Sequence, residues 1–356
     1  MTKKKKKKKI IFDNNFLKLY NFLNYKNYNK IIILLDKNIK NNCLNLLYKY
    51  IPVLENKSKL IEIKAGEKYK NFNILKKIFK IFLKYKIQKS DLLINFGGGV
   101  ITDLGGFAGS LFKRGIDFIN IPTTLLGMVD ASIGGKNGIN FYKLKNGIGV
   151  IKNPKYIFIN YNFIKTLPIK ELYSGFGEII KYGLIYSKNL WNKIKNINLN
   201  NKNLNLEKII HDSIKIKNLI VKKDPCEKRG IRKILNFGHT IGHAIESLYM
   251  NSKQTISHGH AISIGMVYEA WLSKKKNNLS NEEFIEICNV ILKFYKFKKI
   301  SLLNIKKIIK YIKNDKKNIN NKIYFSLLKK IGLCTYNNKV SIKEIIKCLK
   351  EISKIY

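Results

Sequence analysis

A buried strand that runs without a break into three glycines and then a helix leaves a chain few folds to adopt. Asp91 to Phe96 (DLLINF) is a short continuous apolar run, read as a buried strand, and Gly97-Gly98-Gly99-Val100-Ile101-Thr102-Asp103 follows it directly. Glycines at that place let backbone N–H groups and a helix N-terminus approach a pyrophosphate. The spacing is not GxGxxG, so the turn alone does not specify a ligand. The helix expected over Asp103 to about Phe112 carries Gly105, Gly106 and Gly109. Glycines cost helix stability, and their presence points to close packing against a neighbour.

The segments around this turn have the same α/β character. Lys30 to Asp36 (KIIILLD) reads as a strand ending in an acid, either a nucleotide contact or the cap of the next helix. Leu60 to Lys64 is another short strand; Gly66, Glu67 and Lys70 then sit at a strand-to-helix junction, with helix to about Lys86. Past Arg114, a strand ends in Ile121-Pro122-Thr123-Thr124, which sets two hydroxyls at a carboxyl edge, where α/β sheets bind ligands. Asp130, Lys136, Asn140, Lys145 and Asn146 follow among glycines. From about Thr166 the alternation gives way to helices, so the reading is a tail over 1–10, an α/β domain over 11–165 and a mainly helical domain over 166–356.

The second domain concentrates the histidines. Four of the chain's five, His239, His243, His258 and His260, fall between Asn236 and His260. His239 and His243 share one face of a helix, and such a cluster suits a divalent metal. An open catalytic site also needs a carboxylate. Glu178 lies one turn from Lys181 in the otherwise apolar Ser174–Gly183 stretch, where an acid must be paired or metal-bound. His211, on a helix from about Lys208 to Val221, has no such company and reads as a surface residue.

Charge is less informative than its size suggests. Lys plus Arg number 69 against 23 Asp plus Glu, a net +46, which would ordinarily point to nucleic acid or an anionic membrane. The excess is nearly all lysine, spread along the chain with Asn, Ile, Tyr and Phe, the pattern of an AT-rich coding sequence. A nucleic-acid partner calls for a clustered basic stripe instead, so neither nucleic acid nor membrane is expected. The run Lys3–Lys9 reads as a solvated tail without the apolar segment of a signal peptide. No apolar run approaches the ~20 residues that span a bilayer. Five scattered cysteines without CxxC suit reduced thiols in a cytoplasmic protein.

Taken in order, AGEKYK, GGGVITDLGGFAGS, Arg114-Gly115, IPTTLLGMVDASIGGK, KNGIG, KTLP, GEIIKYG, GIRKILNFGHTIGHAIE, SHGHAISIGM and Asp315–Lys317 resemble the 3-dehydroquinate synthases among the sugar-phosphate cyclases. The resemblance implies an α/β, Rossmann-like NAD-binding domain, then a mainly α-helical metal-binding domain, with the active site between. It implies 3-deoxy-D-arabino-heptulosonate 7-phosphate as substrate and a catalytic use of NAD. The C5 hydroxyl is oxidised, phosphate leaves by β-elimination from C6–H, the ketone is reduced again, and an intramolecular aldol step closes the carbocycle. The implied metal ligands for zinc or cobalt are Glu178, His239 and His258. Lys136, Asn146, Lys181 and His243 fall on the phosphate side, and Arg232, Asn236 and Lys316 or Lys317 nearer the carboxylate. Asp130 and Lys217 would hold hydroxyls, and Arg114 would reach a neighbouring subunit's site in a homodimer. For NAD the implied contacts are Asp36, Glu67, Lys70, Gly99, Val100, Ile101, Thr102, Asp103, Thr123, Thr124, Lys136, Lys145 and Phe163-Ile164-Lys165-Thr166.

The chain departs from the family pattern at five places. Thr102 replaces a usual Gly, Asn137 a Thr, Leu144 a Gly, Pro225 an acid, and His260 stands where Glu or Asp is common. Thr102 and Leu144 bear on backbone approach to NAD, and His260 on competition with His258 for the metal. Rival readings are a metal-dependent polyol dehydrogenase, a related cyclase acting on another sugar phosphate, and a basic nucleic-acid-binding protein.

Overall fold

The computed structural model describes residues 9–142, 144–201, 204–249, 256–296, 300–313 and 323–355. Two compact units divide the chain, Met1–Pro168 and Ile169–Tyr356. The tail expected over 1–10 falls mostly on residues 1–8, outside the described residues; Ile10 at its end is instead in a strand.

The first unit contains strands β1 (Ile10–Phe12), β2 (Ile31–Asp36), β3 (Ser58–Ile63), β4 (Leu92–Gly97), β5 (Asp117–Pro122), β6 (Lys136–Phe141), β7 (Leu144–Ile151) and β8 (Ile157–Ile159). Six of them make a parallel sheet in the order β1-β8-β5-β4-β2-β3, while β6 and β7 form an antiparallel hairpin. β4 is buried along its whole length, the outcome expected for a central parallel strand with both faces covered. From β2 the chain proceeds to β3 on one side, and from β4 to β5 on the other. The carboxyl ends of β2 and β4 therefore flank the switch point where open α/β sheets leave a crevice. Asp36 ends β2, and Gly97-Gly98-Gly99 ends β4.

The helix after the glycines begins earlier than the sequence suggested. It spans Gly99–Leu111 with Gly98 as N-cap, so Asp103 lies inside it rather than at its start. Its glycines do meet close neighbours: a Cβ on Gly106 would fall 2.0 Å from Asn137 Oδ1. Asn137 is held there by donating to the carbonyls of Gly135 and Lys152, which accounts for an amide in place of a threonine. Thr102 is also accommodated, its hydroxyl donating to Gly99 O at 3.1 Å within its own helix.

The second unit is mainly helical, with helices that include Ile169–Tyr186, Glu207–Lys223, His239–Tyr249 and His258–Lys276. One feature was not expected: β9 (Ile323–Lys330) and β10 (Leu333–Val340) pair antiparallel. The run IYFSLL before a glycine turn carries the aromatic and β-branched residues of a strand, and Gly332 takes φ +89° at the turn.

Glycine sets the core of this unit. A Cβ on Gly177 would lie 2.7 Å from Gly259 O, and one on Gly259 only 1.9 Å from Ser174 O. Helices 169–186 and 258–276 therefore cross backbone to backbone, which brings together Glu178, next to Gly177, and His258, next to Gly259. Alanine is favoured over glycine in a helix by about 1 kcal/mol, but overpacking a close contact costs about 1–3 kcal/mol or more. Gly259→Ala is accordingly expected to destabilise the protein in urea denaturation. A variant as stable as the parent would show that the crossing has slack.

Candidate metal centre and cofactor cradle

In the second unit, Glu178 is fully buried, and neither carboxylate oxygen accepts a hydrogen bond of good geometry. The ammonium of Lys181, itself 1 % exposed, closes on Oε2 as an ion pair. Oε1 faces two imidazoles, with His239 Nε2 at 3.4 Å and His258 Nε2 at 3.6 Å. The other nitrogen of His239, Nδ1, lies 3.1 Å from the carbonyl of Phe237. A carbonyl can only accept, so Nδ1 carries the proton and the Nε2 lone pair faces Glu178. His258 Nδ1 faces Glu246 Oε2 at 3.4 Å. Backbone carbonyl and carboxylate are the usual partners behind metal-bound histidines.

The donor set fits a dication. Ligand nitrogens of His239, His243 and His258 lie within 4.8 Å of one another, and their rings are 5.1–5.8 Å apart. Burial pushes the Glu178 carboxyl up, but chiefly the Lys181 ammonium holds it well below the usual carboxylate range. Burial and the Lys181 charge together push His239 down to about 4, against the pull of Glu178. An ionised Glu178 facing the neutral imidazole of His239 is the ligand form that a zinc-like ion requires.

His260 turns to other partners. Its Nε2 lies 2.9 Å from Lys296 O, its ring centroid 5.5 Å from that of Tyr295, and its amide meets the capping hydroxyl of Ser257. Lys217 and Arg232 are buried, on the helix Glu207–Lys223 and the turn Ile231–Asn236. Both elements pack on the helix that bears Glu178. Arg232 donates to Pro225 O at 3.2 Å, so the proline at the departing position serves through its carbonyl. Asn236 ends that turn, half-buried. His211 is exposed, and Lys316 and Lys317 lie outside the described residues.

In the first unit the expected cofactor residues form a polar network at the sheet's carboxyl edge. Lys70, buried, pairs with Asp103 and donates to Asn146 Oδ1 at 2.6 Å. Burial pushes the Asp103 carboxyl up and the Lys70 ammonium pulls it back. Asn140 joins the pieces: its amide donates to Glu67 Oε1 at 2.9 Å, and its Oδ1 accepts from Asn146 N at 2.8 Å. Asn146 thus stands among Glu67, Lys70 and Asp103. Thr124 covers the glycine turn closely enough that a Cβ on Gly98 would meet its methyl at 2.9 Å. Thr123 beside it has a buried hydroxyl without a partner. An orphaned donor beside a helix N-terminus that admits no side chain fits a bound phosphate-bearing cofactor.

The remaining candidates are spread more widely. Asp36 caps the following helix by accepting from Asn38 N and Ile39 N. Phe163 to Thr166 lie in the turn Tyr161–Thr166, with Thr166 Oγ1 3.8 Å from Cys43 Sγ. Val100 and Asp130 are half-buried and Ile101 is buried, while Lys136 and Lys145 sit at the foot and near the tip of the β6–β7 hairpin. Leu144 is exposed at the start of β7, and Arg114 is exposed with φ +63°.

Two residues in these networks were missed from sequence, Glu246 behind His258 and Glu269 beneath His239, and Asn140 was singled out there without its bridging partners. Glu246 follows His243 by three and shares its helix face, a signal that could have found it. Glu269 is an acid in an apolar run, the same cue that singled out Glu178.

Residues 60–174 match the family described as 3-dehydroquinate synthase N-terminal, and 175–318 the one described as 3-dehydroquinate synthase C-terminal. A 3-dehydroquinate synthase of Parabacteroides distasonis is 39% identical over 333 residues, 93% of this chain and 94% of the relative. One of Pelagibacter ubique is 38% identical over 357 residues, covering 96% and 95%. Among solved structures, a 2-epi-5-epi-valiolone synthase from Streptomyces hygroscopicus with bound NAD+ and Zn2+ superposes with TM-score 0.87 at 21% identity, over 100% of this chain and 99% of that one. An iron-containing alcohol dehydrogenase from Thermotoga maritima has the same fold at TM-score 0.62 and 15% identity, with 97% of each chain covered.

The histidine environment predicts a pH signature. His239 has a folded pKa of about 4 against 6.5 for a free imidazole. The unfolded chain therefore binds the proton first, and acidification through that interval favours unfolding. The metal-free protein is expected to lose stability as pH falls from about 6.5 to about 4, and His239→Gln to lose less. Denaturant titrations at stepped pH measure this; equal slopes for the two proteins would overturn a buried neutral imidazole.

Proposed function

Because this chain belongs to the 3-dehydroquinate synthase family, we propose that it converts 3-deoxy-D-arabino-heptulosonate 7-phosphate to 3-dehydroquinate and phosphate in the shikimate pathway. The observation that carries this reading is the pair of imidazole nitrogens converging on an orphaned oxygen of buried Glu178. Zinc or cobalt held by Glu178, His239 and His258 would supply a Lewis acid for a substrate hydroxyl oxygen. NAD held by Glu67, Lys70, Gly99–Asp103, Thr123, Thr124 and Lys145, with Asp36, Lys136 and the turn Phe163–Thr166, would accept and return one hydride.

The chain's own groups bind and orient an anionic substrate. Lys181, Lys217 and Arg232 are cations 1 %, 6 % and 3 % exposed. Three buried cations on elements packed together in one helical unit give a positively charged surrounding that suits a ligand carrying phosphate and carboxylate. Lys136, Asn146, Lys181 and His243 take the phosphate side, Arg232 and Asn236 the carboxylate side, and Asp130 and Lys217 the hydroxyls. His243, beside both histidine ligands, moves the proton. Asn146 already accepts from Lys70, which supports one network that serves both cofactor and substrate.

The protein acts as a cytoplasmic homodimer. Its five cysteines are all free, which suits a reducing compartment. Arg114 is exposed, which supports the reading that it serves a second subunit. Among the described residues no helix is long and apolar enough to cross a membrane.

The decisive experiment supplies purified protein with NAD, Co2+ and the heptulosonate phosphate and follows inorganic phosphate and NADH together. Phosphate release without net NADH, abolished by a chelator, is expected. Net NADH accumulation would favour a polyol dehydrogenase, and turnover only with another sugar phosphate a related cyclase. Glu178→Ala is expected to lose phosphate release; full activity in that variant would remove the metal assignment.

A further inference from the structure

We infer that Glu269, which is none of the proposed ligands, is a positioning residue that sets the place of His239 in the metal centre. The inference rests on the metal reading of Glu178, His239 and His258. Glu269 is fully buried in the otherwise apolar middle of helix His258–Lys276. Its Oε2 accepts from Gly238 N at 2.7 Å, and its Oε1 from Thr240 N at 2.9 Å and Ile241 N at 3.1 Å. Those amides lie on both sides of His239. The first N–H groups of a helix have no partner inside it, and the positive end of the helix dipole favours an anion. Here a carboxylate from a second helix satisfies them, at the residues that bracket a ligand.

The surroundings leave this segment no other seat. Gly238 has φ +79°, and a Cβ on Gly265 would fall 2.1 Å from Gly238 O. His258 opens the same helix that carries Glu269. One rigid helix therefore bears the second histidine and the anchor of the first, so the separation of the imidazoles is set by backbone rather than by the ion. The charge matters as well as the shape. A glutamine could accept at one end only, and its NH2 would face either Gly238 N–H or the amides of Thr240 and Ile241.

The test is Glu269→Gln, with Co2+ affinity measured by chelator competition and the visible d–d spectrum recorded at saturation. Loss of a group behind a metal ligand typically costs about 10–100-fold in affinity. That fall in Co2+ affinity is expected, with a displaced d–d band and unchanged NAD affinity. A variant that melts earlier but keeps the parent's Co2+ affinity and spectrum would reduce Glu269 to a structural residue and overturn the inference. If the variant does not fold, hydrogen exchange on the metal-free parent decides. Slow exchange at Gly238, Thr240 and Ile241 is expected, and rates typical of open helix ends would overturn the inference. A parent that fails to bind Co2+, or binds it equally as Glu178→Gln, would instead remove the metal reading underneath.

Discussion

A fully buried carboxylate is tolerable only where something charged answers it. Glu178 meets that condition with Lys181 on one oxygen and two imidazoles on the other. Much of the second unit can be understood as the scaffold for this arrangement. Helices 169–186 and 258–276 touch at Gly177 and Gly259 because side chains there would collide with backbone. Glu178, one residue from that contact, is fully buried. Burial and the Lys181 charge keep His239 neutral and thus able to offer a lone pair. Packing and electrostatics are in this sense one constraint: a looser crossing would hydrate Glu178 and weaken every interaction that depends on its charge.

The first unit solves a related problem with a network instead of a close crossing. Lys70 is buried beside Asp103, and Asn140 and Asn146 extend the pair towards Glu67. Residues from a turn, a helix and a hairpin are held in one hydrogen-bonded set. The glycine turn remains free of side chains because Thr124 stands over Gly98. A helix N-terminus is left accessible to an anion while the polar groups beside it are already oriented.

Departures from the family pattern are absorbed locally. Asn137 fills the space that Gly106 leaves, and Thr102 bonds to its own helix. Pro225 offers Arg232 a carbonyl. His260, on the same helix as His258, is engaged with Lys296 and Tyr295. Four of the five changes are answered by an immediate neighbour, the fifth, Leu144, is exposed, and Glu178, His239 and His258 keep their common focus.

Local chemistry was legible in the sequence. The apolar run before Gly97, the glycines after it, Glu178 in an apolar helix and the histidine window all follow from how far side chains can be buried and what a backbone without Cβ can approach. Such cues identify residues that need a partner; they do not identify the partner. Sequence could not show that Asn140 bridges Glu67 and Asn146, that His260 faces away, or that Glu269 holds the amides around His239, because those pairs are joined only where distant elements pack. The β9–β10 hairpin was missed although IYFSLL carries strand residues, because it stands in a stretch otherwise read as helices and its pairing joins two segments only in the fold. The sequence determined the kinds of groups and the elements that carry them. Which atoms meet was decided by the tertiary structure, since hydrogen-bond and ligand geometry depends on ångström-scale placement that only close packing provides.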